Sequence, residues 1–133
     1  MKKFKLVLVE NDDDERFFMK EAFGSSAAFD VVGEFVNGDT LLEWLEENPS
    51  SLPDVILSDL NMPGKNGYDL LAEMKQDPRY SDIRIIITST SPIKAVSDKC
   101  LALGASDYLI KPEIFVDYAA FVEDFQKSVL REK

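Results

Sequence analysis

Five short apolar runs, each followed by a stretch with helical spacing, constrain this 133-residue chain more than any other feature. The runs are "FKLVLV" (4–9), "FDVVGEFV" (29–36), "DVILSD" (54–59), "IRIIITS" (83–89) and "SDYLI" (106–110). They are short, the fourth is β-branched almost throughout, and this is how buried strands read. Between them lie "RFFMKEAF" after an acidic "ENDDDE", then "GDTLLEWLEENP", "NGYDLLAEMKQDP", "IKAVSDKCLALG" and a final "EIFVDYAAFVEDFQKSVLREK". Asp39 or Thr40, Pro49, Pro78 and Gly104 stand where helices begin or stop. Strict alternation of strand and helix predicts an α/β fold, a parallel sheet with helices on both faces. The length sets the expectation of one domain over residues 1–133.

Composition closes off several chemistries. Apolar residues make up 45% of the chain, enough for a core. Histidine is absent, so zinc sites built on His and Ser-His or Cys-His nucleophile pairs are excluded. The 25 acidic and 15 basic residues give a net charge of -10, which repels nucleic acid. No apolar stretch reaches membrane-spanning length, and the basic start is too short in its apolar part for a signal peptide. The one cysteine, Cys100, is expected as a small buried hydrophobe, and its solitude suits a reducing cytoplasm.

Ligands of open parallel sheets bind beyond the C-terminal ends of the strands. Glu10, Asn11, Asp12 and Asp13 follow the first run; Asp59 ends the third, with Asn61 just after it. Ser89 and Thr90 end the fourth, and Lys111-Pro112 follows the fifth. A carboxylate ending a buried strand is costly unless paired, and several together repel. A hard divalent cation and the lysine are the partners that remove the cost, and Mg²⁺ leaves positions for phosphate oxygens. A metal, a lysine and a hydroxyl around a free carboxylate suit phosphoryl transfer, with the carboxylate as nucleophile. Taken singly, Asp59 also reads as a helix cap, Ser89 and Thr90 as ordinary strand-end residues, and Lys111 as a turn lysine. The run from Asp12 to Glu15 reads mostly as an N-cap and a solvated face. Trp44 reads as a core or half-exposed helix residue.

These residues resemble the receiver domain of the two-component response regulators, over essentially the whole chain. "SDLNMPGKNG" is similar to the family's phospho-acceptor motif D-x-x-M-P-x-x-x-G. Ser89 and Lys111 lie at the family's spacings from Asp59, and "YLIKP" is similar to its last signature. The "KQDPRYSDIRIIITSTS" context most resembles single-domain cyanobacterial phytochrome response regulators. The resemblance implies a flavodoxin-like, doubly wound five-stranded parallel sheet of order 2-1-3-4-5 with five helices. It implies that Asp59 accepts a phosphoryl group, with Ser89 and Lys111 beside it and Ser89 and Tyr108 as switch residues. It implies Mg²⁺ held by Glu10, Asn11, Asp59 and the backbone carbonyl of Asn61, and a cis Lys111-Pro112 bond.

The family usually has Asp where this chain has Asn11, which removes a charge; Asp12 is a reserve. The implied role is a stand-alone bacterial, cytoplasmic regulator, phosphorylated by a histidine kinase or phosphotransfer protein, without an output domain after Lys133. It catalyses only its own phosphorylation and dephosphorylation. Its output face is the one made by the fourth helix, fifth strand and fifth helix, where a homodimer also forms in similar receivers. The last helix carries more apolar residues than one stripe needs, from Ile114 and Phe115 to Leu130, as extra core or as a partner surface. Two rivals stand beside this reading. One is a pseudo-receiver that binds partners without phosphate, with Asn11 as its motive. The other is a haloacid-dehalogenase-type enzyme, whose acceptor would stand on the first strand, where "ENDDD" fits poorly.

Overall fold

A computed structural model describes residues 3–112 and 118–131. Its elements alternate as the sequence predicts: β1 (Phe4–Val9), α1 (Asp13–Gly24), β2 (Phe29–Phe35), α2 (Gly38–Glu47), β3 (Val55–Asp59), α3 (Gly67–Gln76), β4 (Arg84–Ser89), α4 (Lys94–Ala102), β5 (Asp107–Ile110) and α5 (Tyr118–Arg131). The strands form one sheet of order β2-β1-β3-β4-β5, every pair parallel.

Alternation along each strand splits the core in two. Leu6, Leu8, Val55, Leu57 and Ile86 face one side, against Met19 and Phe23 of α1 and Phe121, Val122, Phe125 and Val129 of α5. Phe23, Phe29 and Phe125 pack edge to face there, with ring centroids 5.0–5.6 Å apart. Val7, Val9, Ile56, Ile85 and Ile87 face the other side, against Leu41, Leu45, Leu70, Met74 and Cys100. Both faces are covered, so β1, β3 and β4 read as unbroken apolar runs. The surplus apolar residues of α5 are therefore mostly core; Leu130 is exposed. Ile114 and Phe115 lie outside the described residues.

Helix ends follow local chemistry. Asp12 caps α1 by accepting from the Glu15 amide. The cap of α2 is Asn37, two residues before the first of the positions the sequence suggests, Asp39 and Thr40. Asn66 and Asp69 form a reciprocal capping box on α3. Gly104, at φ +110°, carries the chain out of α4 into β5. Trp44 is half-buried against the Phe35 ring.

Candidate functional site

Sheet register brings the polar residues to one level. Val9 pairs with Ser58, Asp59 with Thr88, and Ser89 with Ile110. Glu10 and Lys111 each follow the last paired residue of their strand, so both stand beside Asp59 at the C-terminal edge. This is the switch point of a sheet in which β1 leads to β2 on one side and β3 lies on the other. Alternation sends Glu10, Asp59 and Lys111 toward α1 and α5, and Ser89 and Tyr108 toward α4.

Lys111 is the hub. Its Nζ lies 2.9 Å from Glu10 Oε1, 3.1 Å from Asp59 Oδ1 and 3.1 Å from Glu15 Oε1. All four side chains are largely or wholly buried. Three carboxylates face one ammonium, an excess of two negative charges. Burial and the neighbouring Asp59 push the Glu10 carboxyl up to about 7, against the pull of Lys111. Burial also raises Asp59, opposed by Lys111 and by the Asn61 amide that donates to it. Burial alone would lower the Lys111 ammonium; Asp59, Glu10 and Glu15 together outweigh it and hold it above its ordinary value.

Backbone contacts fix the frame. The Gly67 amide donates to Leu60 O at 2.8 Å, and a Cβ there would stand 3.0 Å from Leu60 Cα and 3.2 Å from Asp59 O. Only glycine lets the "NMPGKNG" loop close this tightly on the strand end that carries Asp59. Arg16 donates to Glu10 O at 2.6 Å, and the Asp12 amide to Glu10 Oε2 at 3.1 Å. The Lys111 amide donates to Ser89 O at 2.9 Å. Ser89 is buried, and its hydroxyl accepts from the Ser91 amide at 3.2 Å. The half-buried Tyr108 donates to Ser91 O at 2.7 Å, so Ser91 joins Ser89 and Tyr108. Thr90 is exposed.

Asn11 and Asn61 are exposed at the rim. The Asp12 carboxylate caps α1, which occupies the reserve position. Among the described residues, no three Asp, Glu or Cys side chains form a group that could hold a metal ion by themselves. The set Glu10, Asn11, Asp59 and Asn61 carbonyl holds two carboxylates and two neutral oxygens. That donor set, with a charge excess beside it, fits Mg²⁺, which binds through one or two carboxylates and keeps waters. The Lys111-Pro112 bond is trans, a correction to the cis bond the resemblance implies. Two residues at the hub were not foreseen. Tyr118 reads in sequence as one of the surplus apolar residues of the last helix, extra core or partner surface, and Glu15 as solvated cap. Its one available signal is the spacing Glu15, Met19, Phe23, which extends the buried stripe of α1 back one turn.

The fold and site define a class, and the chain belongs to it: residues 6–122 match the response regulator receiver domain family. That places it in two-component phosphorelay signalling. It is 30% identical to the chemotaxis protein CheY1 of Helicobacter pylori, over 97% of this chain and 92% of that one. It superimposes on the phosphorylated cyanobacterial phytochrome response regulator RcpA with TM-score 0.84 and 27% identity, covering 95% of this chain and 93% of that one. The Mn²⁺-bound response regulator Rcp1 gives TM-score 0.80 and 25% identity, covering 92% and 91%. Against the plant two-component regulators it matches, the chain spans 28% (ARR3 of Arabidopsis thaliana) to 66% (ARR5 of Arabidopsis thaliana) of their length. Among the described residues, no helix is long and apolar enough to cross a membrane.

Proposed function

We propose that the chain acts as a single receiver whose Asp59 accepts a phosphoryl group from the phosphohistidine of a histidine kinase or phosphotransfer protein. The observation that carries this reading is the convergence of Glu10, Asp59 and Lys111 within about one hydrogen-bond length of the Lys111 ammonium. A bond forms between an Asp59 carboxylate oxygen and phosphorus; the phosphorus–nitrogen bond breaks, and its electron pair stays with the imidazole. Lys111 balances charge on the phosphoryl oxygens, and the Ser89 hydroxyl turns from Ser91 to donate to one of them. Glu10, Asn11, Asp59 and the Asn61 carbonyl would hold Mg²⁺, which would supply charge neutralisation on the transferred group.

Ser89 and Tyr108 share Ser91, which supports a two-state rearrangement toward α4. Its population shift alters the face made by α4, β5 and α5, the surface for a partner or a second copy. Incubation with acetyl phosphate and Mg²⁺ followed by intact-mass spectrometry tests the reading. One adduct of about 80 Da, absent from Asp59→Asn, is the expected result. Asn11 favours the second reading, a phosphate-independent binding module. No adduct at high Mg²⁺, restored by Asn11→Asp, is the result that reading gives.

A further inference from the structure

Glu15 has no part in the chemistry just described, yet it takes one of the three donors of Lys111. It is the third residue of α1, its side chain 12% exposed. Its second oxygen accepts from the Tyr118 hydroxyl at 2.5 Å, and Tyr118, on α5, is 1% exposed. An unbroken polar chain thus runs from Asp59 through Lys111 and Glu15 to α5.

The ammonium is held by three carboxylates: it donates to Glu10 and Glu15, and Asp59 Oδ1 lies 3.1 Å from it as an ion-pair partner. Phosphoryl oxygens on Asp59 lie one to two bonds beyond the carboxylate that Lys111 now touches. Lys111 has to leave its present position, or surrender a donor, to reach them. Glu10 and Asp59 have a divalent cation as an alternative partner. Among the described residues, Glu15 has the Tyr118 hydroxyl as its other side-chain partner.

We infer that Glu15 is a positioning residue that restrains Lys111 in the unphosphorylated protein. Tyr118 anchors that restraint to α5, so phosphoryl transfer to Asp59 weakens the Glu15-mediated link between α1 and α5. This rests on the phospho-acceptor reading of Asp59.

The test measures initial adduct formation from acetyl phosphate at saturating Mg²⁺ in wild type, Glu15→Gln, Tyr118→Phe and the double variant. Circular dichroism confirms that each is folded. Glutamine keeps an acceptor for Tyr118 but no charge for Lys111. The rate constant rises about tenfold, one charge-assisted hydrogen bond no longer given up. The acetyl phosphate concentration giving half the maximal rate stays the same. Tyr118→Phe rises about threefold, and the double variant is no faster than Glu15→Gln, because both act through one link.

A second readout needs only the wild-type fold. Fluorotyrosine is incorporated and the Tyr118 resonance is assigned by its loss in Tyr118→Phe. That resonance shifts on phosphorylation in wild type. An unchanged or slower rate in folded Glu15→Gln overturns the inference, as does a Tyr118 resonance blind to phosphorylation. Wild type that takes no adduct fails earlier, at the phospho-acceptor reading itself.

Discussion

Replacing Lys111 by methionine removes the cation that, among the described residues, pairs with all three hub carboxylates, while keeping an unbranched stem. Glu10, Glu15 and Asp59 then share a site with 1%, 12% and 7% side-chain exposure and no positive partner from Lys111. Breaking a buried ion pair by deleting one member costs about 3–5 kcal/mol, because the other member stays buried and charged. That is a large share of a typical total of roughly 5–15 kcal/mol. Melting falls by about 10–15 °C for a chain of this size. The assay is urea unfolding in EDTA, followed by fluorescence of Trp44, the single tryptophan, which packs on Phe35 at 5.4 Å. At pH 8 the full loss is expected. At pH 5 it shrinks below about 2 kcal/mol, because Glu10, already pushed up to about 7 with Lys111 present, binds a proton instead. A loss under about 1 kcal/mol at pH 8, or an equal loss at both pH values, would refute the reasoning.

Glu10 also sets a pH dependence in the metal-free protein. Its carboxyl sits at about 7 in the fold against 4.5 as a free group, so the native state holds the extra proton between those values. Stability therefore falls as pH rises from about 4.5 to 7 and levels above it, and Glu10→Gln flattens that slope in pH-series melts. Asn11→Asp adds a charged oxygen ligand and tightens Mg²⁺ binding by about tenfold in calorimetric titration; an unchanged affinity would remove Asn11 from the ligand set. Phe125→Ala, at the centre of the aromatic cluster between α1 and α5, costs about 3–5 kcal/mol in urea unfolding.

Asp59, Lys111 and Glu10 were legible because each ends or follows an apolar run, and a parallel sheet sends all such ends to one edge. Strand order had to come from the resemblance, since alternation alone leaves several right-handed topologies open. Glu15 was not legible. It closes an acidic run in which capping explains every carboxylate equally well, and Asp12 does cap α1. The apolar neighbours misdirect as well: Phe17 is 58% exposed and Phe18 36%, whereas Met19 and Phe23 are buried. Helix rotation, fixed by packing against β1 and α5, decides which acid turns inward. Tyr118 was hidden by the opposite effect. Its ring does belong to the core, so an apolar stripe accounts for it completely, and its hydroxyl carries no period of its own. The trans Lys111-Pro112 bond shows where a resemblance outruns the residues.

The central claim is that Asp59 is the phospho-acceptor. Borohydride trapping tests it most directly: a phosphohistidine-bearing kinase or phosphotransfer protein is mixed with the chain and Mg²⁺, then reduced, and the peptides are sequenced by mass spectrometry. Hydride converts an aspartyl phosphate to homoserine and leaves a free carboxylate untouched. Homoserine at position 59, and at none of Asp12, Asp13 or Asp14, is the predicted result. Homoserine at one of those aspartates, or none anywhere while the donor loses its phosphate, would contradict it.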